Sequence, residues 1–203
     1  MNAHDFKADL VRSYAQENAS YWDAIYRDLF PGMAAYIRHS QDGDHQRLGV
    51  DTTIIMKNSK TYTIDEKIRL QDFPDILCEE WSDVERKIPG WLTKPLLCDF
   101  ILYLNIPGGK VYLLPTLQLQ SAWRRHGEEW KRTRKPKPAH NRDLKTGRQW
   151  TSINWALGYE ELYPRIGACL RATLIHELGA TSAPSQNVAI EPHNGARPQE
   201  TDV

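Results

Sequence analysis

An aspartate, a polar turn and an Asp-x-Lys triplet, carried on two adjoining extended segments, constrain this chain more than any other feature of its sequence. The segments are LGVDTTII, from Leu48 to Ile55, and TYTIDEKIRL, from Thr61 to Leu70. Both are rich in β-branched and aromatic residues and flank the polar stretch KNSK, which predicts a β-hairpin. Side chains at i and i+2 of a strand point the same way about 7 Å apart, so Asp65 and Lys67 share one face and Glu66 takes the other. The position of Asp51 depends on the connection. An odd number of connecting residues, Met56 to Lys60 or Lys57 to Ser59, sets Asp51 opposite Asp65, whereas a two-residue Asn58-Ser59 loop sets it opposite Glu66.

Either register brings two carboxylates within a few ångströms. At an effective dielectric near 20, two like charges about 4 Å apart repel by roughly 4 kcal/mol, so the pair calls for a cation. Two carboxylates, a backbone carbonyl and waters offer only oxygen. That set suits Mg²⁺ or Mn²⁺ and not structural zinc, which prefers Cys and His. Such a metal polarises a phosphoryl oxygen, lowers the pKa of a water and offsets charge on a leaving oxygen. Beside it, Lys67 is suited to orient the attacking water or to stabilise a pentavalent transition state.

GVD at Gly49 to Asp51, then a hairpin, then IDEK at Ile64 to Lys67 resembles the metal-binding signature of the PD-(D/E)xK nuclease superfamily, which includes restriction endonucleases and Holliday-junction resolvases. The resemblance covers residues 5 to 115 in the order helix, strand, strand, strand, connection, strand. It implies an α/β fold with a restriction endonuclease-like core, a mixed central β-sheet flanked by helices. It assigns catalysis to Asp51, Asp65 and Lys67. It assigns Mg²⁺ or Mn²⁺ to Asp51, Asp65 and the backbone carbonyl of Glu66, with Glu17 on the preceding helix as a further ligand. Because the family pattern takes Asp65 as the second carboxylate, it favours the odd-length connection. Val50 stands where the family name places a proline. The implied activity is metal-dependent hydrolysis of phosphodiester bonds in DNA; the alternative is a non-catalytic DNA- or protein-binding module on the same scaffold. Many members of the family act as homodimers, although no heptad or other self-association signal is visible here.

A DNA partner sits uneasily with a formal net charge of zero, but the average conceals an asymmetry. Between Ser121 and Trp150 there are ten Lys or Arg against three acidic residues. Arg124, Arg125, Lys131, Arg132, Arg134, Lys135 and Lys137 are therefore the expected phosphate contacts, with Trp150 and Trp155 available for stacking on bases. Lys94, in GWLTKP, is a further candidate for holding a phosphate. Glu79 and Glu80 could approach the site from the third strand, and are expected instead to be a solvated strand end. His176-Glu177 lacks the second histidine of a zinc peptidase helix, and His140-Asn141 lacks the rest of an HNH motif, so neither is expected to carry chemistry.

The remaining pattern predicts one domain over residues 1 to 178, with 40% hydrophobic and 26% charged residues in the ordinary range for a folded chain of 203. Three- and four-residue apolar spacing from Phe6 to Ile37 predicts one long helix or two short ones, and SQDGDHQ, from Ser40 to Gln46, a loop. Further strands are expected at DILCEEW, LLCDFILYLN and KVYLLP, making about five in the sheet. LQLQSAWRRHGEEW predicts a helix, and KRTRKPKPAHNRDLKTGRQ a basic, proline-interrupted loop. A last helix is expected from Tyr159 to about Leu178, and residues 179 to 203 are expected to be a disordered tail. Three cysteines without CxxC spacing, no long apolar run and no hydrophobic leader fit a cytoplasmic, unanchored protein.

Overall fold

The computed structural model of the chain describes residues 4–5, 21–39, 42–143, 145–167 and 170–173. It is a mixed α/β structure built on two sheets, where the sequence suggested one. The larger sheet has six strands in the order β11-β8-β7-β4-β3-β2: β2 (Met33–Arg38), β3 (Thr52–Met56), β4 (Thr61–Arg69), β7 (Phe100–Asn105), β8 (Lys110–Pro115) and β11 (Leu170–Thr173). β7 runs parallel to β4 and the other pairs are antiparallel, so the sheet is mixed. The smaller sheet is ordered β1-β9-β10-β5-β6: β1 (His4–Asp5), β5 (Asp75–Asp83), β6 (Ile88–Pro89), β9 (Lys137–Arg142) and β10 (Gln149–Gly158).

Alternation along the central strands of the larger sheet gives each face its own core. Ile54, Ile64, Leu102, Leu104, Val111 and Leu113 pack against Trp22, Ile25, Tyr26 and Leu29 of α1 (Tyr21–Leu29). Ile101, Tyr103, Tyr112 and Leu114 point the other way. They meet Ile76 and Cys78 of β5, Trp155 and Leu157 of β10, and Leu119, Trp123 and Trp130 of α3 (Thr116–Thr133). The interior of the molecule is thus helix, six-stranded sheet, then second sheet with α3. Arg69 crosses between the sheets, donating to Asp75 Oδ1 (2.8 Å) and to the Tyr103 hydroxyl (3.0 Å), while the Leu77 N–H also donates to that hydroxyl (3.1 Å).

The hairpin takes the odd-length connection. β3 and β4 pair with Thr52 opposite Ile64, Met56 N–H donates to the Lys60 carbonyl (2.8 Å), and the loop is Lys57 to Ser59. Ser59 N–H donates back to Met56 (3.0 Å) and Ser59 itself has φ 65°, which is the three-residue loop of a turn followed by one left-handed residue.

Four expectations are corrected. Residues 33 to 38 form β2 and not the end of a long helix: Gly32, at φ +85°, turns the chain after α1, and pairing with β3 outweighs the helix preference of Ala34 and Ala35. The loop at Ser40 to Gln46 contains a short helix, α2 (Gly43–Arg47), whose first N–H groups are accepted by Asp42. The basic stretch is not a loop throughout; its Lys137 to Arg142 portion is β9, where Pro138 lies beyond the two-residue pairing with β1. The last helix, α4 (Tyr159–Ile166), ends at Gly167 with φ +73°, and β11 follows. Glu17, His176, Glu177 and the tail from Gly179 lie outside the described residues.

Between β4 and α1 sits a buried ion pair. Arg38 Nη2 donates to Glu66 Oε2 (2.6 Å), Thr52 Oγ1 donates to Glu66 Oε1 (2.6 Å), and the Tyr26 hydroxyl also donates to Oε1. The Glu66 side chain is 4% exposed, so its charge relies on these partners. Arg38→Ala is expected to lower stability by about 3–5 kcal/mol in urea unfolding, as removal of one partner of a buried pair does. Arg27→Ala, on a solvent-exposed pair with Asp23, is expected to leave the unfolding midpoint near that of the wild type.

Candidate metal centre

Asp51 precedes β3 by one residue, at the end of the pairing of Thr52 with Ile64, and its carboxyl interacts with that of Asp65 on β4. The backbone fixes it there on both sides: its N–H donates to the Ile64 carbonyl (2.8 Å), and its carbonyl accepts from the His39 N–H (2.8 Å). Its carboxylate then caps the edge of β4, with Oδ2 accepting from the Glu66 N–H (2.7 Å). A strand residue directs its N–H and C=O to the same edge, so the Glu66 carbonyl faces the Asp51 side of β4 as well.

Asp65 and Lys67 sit in register with Ile101 and Tyr103 of β7, on the face turned toward the smaller sheet. Asp65 is 3% exposed. Lys67 Nζ lies 2.5 Å from Asp65 Oδ1. Burial pushes the Asp65 carboxyl up to about 6; the Lys67 ammonium opposes the rise, and the Asp51 carboxylate adds to it. Burial by itself would lower the Lys67 pKa, but the carboxylates of Asp65, Asp51 and Glu79 together hold it above the ordinary lysine value.

Of the two glutamates expected at a solvated strand end, Glu80 is buried and Glu79 is half-buried. It is not a solvated strand end: its carboxyl is raised by burial, against the pull of Lys67, the Trp91 N–H and Lys94. Ile76, Cys78 and Glu80 of β5 are buried together on one face, and Glu79, between two of them, takes the other. Period-two spacing in DILCEEW could have separated the two glutamates. Glu80 belongs to the structural core, where its Oε2 accepts from Trp155 Nε1 (2.8 Å) and its Oε1 lies 2.5 Å from Lys131 Nζ.

The donor set where Asp51 leads into β3 beside β4 is the carboxylates of Asp51 and Asp65 with the Glu66 carbonyl. It fits a hard, oxygen-loving dication on the chemistry of its atoms. The Glu66 side chain is turned to the opposite face and engaged by Arg38, so only its backbone can contribute. A second cluster, His39, Asp42 and His45, has ligand atoms within 4.8 Å of one another. Its two imidazoles stack in parallel planes (4.0 Å, 2°), which sends their in-plane lone pairs along parallel rather than convergent planes. Asp42 is already occupied, accepting from the His45 ring (2.7 Å) and capping α2.

The expected phosphate contacts divide. Lys131 pairs with Glu80 and Glu128, and Arg134 pairs with Glu161 and donates to the Ala156 carbonyl (3.1 Å). These two hold the fold together. Arg124, Arg125, Arg132, Lys135 and Lys137 are exposed. Trp155 is buried, so stacking on bases is ruled out for it, while Trp150 is half-buried beneath the Arg148 guanidinium (5.3 Å). Lys94 stands on the turn that follows β6, near Glu79, and is half-buried. Comparison of the chain with protein-family models, curated proteins and solved structures returned no match.

The Asp65 shift has a sign that can be measured on the metal-free protein. Its carboxyl is raised above the unfolded value, so the folded state holds the extra proton between about pH 4 and about pH 6. The stability this contributes is present in full below the unfolded pKa and is lost as pH rises through the folded one. Urea titrations in EDTA should show this part of the stability falling across that window, and Asp65→Asn should flatten the slope.

Proposed function

We propose that this chain is a metal-dependent nuclease of the PD-(D/E)xK type, hydrolysing phosphodiester bonds in DNA on a restriction endonuclease-like core. The observation that carries the reading is the register of one hairpin. Thr52 pairs with Ile64 at the end of the hairpin, Lys67 shares the Asp65 face, and the Asp51 carboxylate before Thr52 reaches the β4 edge at Glu66. Carboxylates crowded in this way at a buried site are poised for a cation.

In this reading Asp51, Asp65 and the Glu66 carbonyl would hold Mg²⁺ or Mn²⁺, which when bound would supply charge to polarise the phosphoryl group and to acidify a water. Lys67 donates to the attacking water or to the phosphoryl oxygens, holding its proton throughout. The water oxygen bonds phosphorus as its proton passes to solvent, the bond from phosphorus to the leaving sugar oxygen breaks, and that oxygen takes up a proton from solvent. Lys94 and the exposed Arg124, Arg125, Arg132, Lys135 and Lys137 follow the phosphate backbone. Buried free thiols at Cys78 and Cys98 fit a reducing cytoplasm, and among the described residues no helix is long and apolar enough to cross a membrane.

Purified protein with Mg²⁺ or Mn²⁺ is expected to cut at least one of duplex, branched or single-stranded DNA, and EDTA to stop it. Asp51→Ala, Asp65→Ala and Lys67→Ala should each lower the rate by about 100-fold or more while leaving the circular dichroism spectrum unchanged. Binding of DNA without turnover under all these conditions would favour a non-catalytic module on this scaffold. Arg124→Ala and Arg125→Ala should each weaken DNA binding and reduce the salt dependence by about one unit of slope for each phosphate no longer neutralised.

A further inference from the structure

The segments that carry the donor set are gripped from the opposite face of the sheet by one side chain. Glu66 lies between Asp65 and Lys67 on β4, and Thr52 follows Asp51 at the start of β3. Arg38 ends β2, pairs with Thr52 across the strands, and precedes His39, whose N–H donates to the Asp51 carbonyl (2.8 Å). The Glu66 carboxylate ties these segments together. Thr52 Oγ1 donates to its Oε1 (2.6 Å), Arg38 Nη2 donates to its Oε2 (2.6 Å), and the Tyr26 hydroxyl of α1 donates to Oε1 as well. Arg38 Nη1 donates in turn to the Tyr26 hydroxyl (3.3 Å).

Burial makes this grip firm. Thr52 and Tyr26 are fully buried and the Glu66 side chain nearly so, and any rotation of Glu66 leaves a guanidinium and two hydroxyls without their acceptor. Fixing the side chain fixes the backbone that bears it. That backbone is part of the site: the Glu66 N–H donates to Asp51 Oδ2 (2.7 Å), and the Glu66 carbonyl is one of the assigned donors. The Asp51 and Asp65 carboxylates repel one another, and a dication needs both in place at once, so their strands have to be held against that repulsion.

We propose that the buried Glu66 carboxylate is the positioning residue of the metal centre: through Thr52 it fixes the strand position of Asp51, and through its own backbone it sets the carbonyl donor and the N–H that aims Asp51. This rests on the metal-dependent reading above and adds to it a side chain that touches neither metal nor substrate. Groups that orient metal ligands commonly contribute about 10- to 100-fold to metal affinity. The ion pair that stabilises the fold on one face of β4 therefore sets how well the other face holds its ion.

Mn²⁺ titration calorimetry on the full chain tests the assignment, with changes that alter no charge. Thr52→Val keeps the shape of residue 52 and removes the hydroxyl that joins the Asp51 strand to Glu66; Oε1 keeps the Tyr26 hydroxyl, so no acceptor is stranded. Its Mn²⁺ dissociation constant should rise by about 10-fold or more, and Thr52→Ser, which restores the hydroxyl, should return it close to the wild-type value. Tyr26→Phe removes the other hydroxyl from Oε1 without touching β3 and should raise the constant as well, which keeps the assignment testable if Thr52→Val does not fold. Ile54→Val, two residues further along β3, takes one methylene from the same buried layer and bears no polar group, so it should bind Mn²⁺ as the wild type does. Wild-type affinity in whichever of Thr52→Val and Tyr26→Phe folds, failure of serine to restore it, or an equal loss in Ile54→Val would each overturn the assignment. A wild type that binds no Mn²⁺ is a different failure: it removes the metal centre itself, and the role of Glu66 with it.

Discussion

The pleat of β4 sends three consecutive charged side chains into two separate environments, and the architecture on each side is arranged to receive them. Glu66 enters the layer between the six-stranded sheet and α1, where Arg38, Tyr26 and Thr52 neutralise it and satisfy its oxygens. Asp65 and Lys67 enter the layer shared with the smaller sheet, where their partners are each other, Asp51 and Glu79. The first set is complete within the protein, as a structural ion pair has to be. The second is crowded with negative charge, and that imbalance makes it a candidate for chemistry.

The two-sheet construction brings segments distant in sequence together on one side of the hairpin. β4 and β7 are parallel and adjacent, and the chain between them travels through β5, β6 and the turn carrying Gly90 to Lys94. The link from Arg69 to Asp75 and Tyr103 pins β5 against the larger sheet, and Gln120 of α3 holds the turn through the Trp91 (3.1 Å) and Lys94 carbonyls. Acidic and basic groups from three distant stretches of sequence thus converge on one gap.

How much of this was legible in the sequence depends on whether the information was local. The hairpin was legible because β-branched alternation and a short polar turn act within twenty residues, and the odd-length register followed once Asp51 and Asp65 were required to meet. The strands β7 and β8 were legible for the same reason. The division into two sheets was not, because nothing within DILCEEW says which strand it pairs with; its partner, β10, lies beyond a proline-rich basic stretch that reads as loop. Met33 to Arg38 looked helical because its alanines carry no strand signal, and only pairing with β3 decides the matter. Lys131 and Arg134 looked like a partner-binding surface because charge runs usually face solvent, whereas Glu80 and Glu161 wait for them across the fold. Glu80 was misread for the converse reason, since its partners Trp155 and Lys131 lie far along the chain.

The central claim is that Asp51, Asp65 and the Glu66 carbonyl form one oxygen site for a divalent ion. Anomalous diffraction from crystals soaked in Mn²⁺ tests it most directly. The account predicts a single manganese peak in the gap between β3 and β4, with carboxylate oxygens of both aspartates and the Glu66 carbonyl at roughly 2.0–2.3 Å. An empty gap under saturating Mn²⁺, or a peak bound instead by His39, Asp42 and His45, would contradict it.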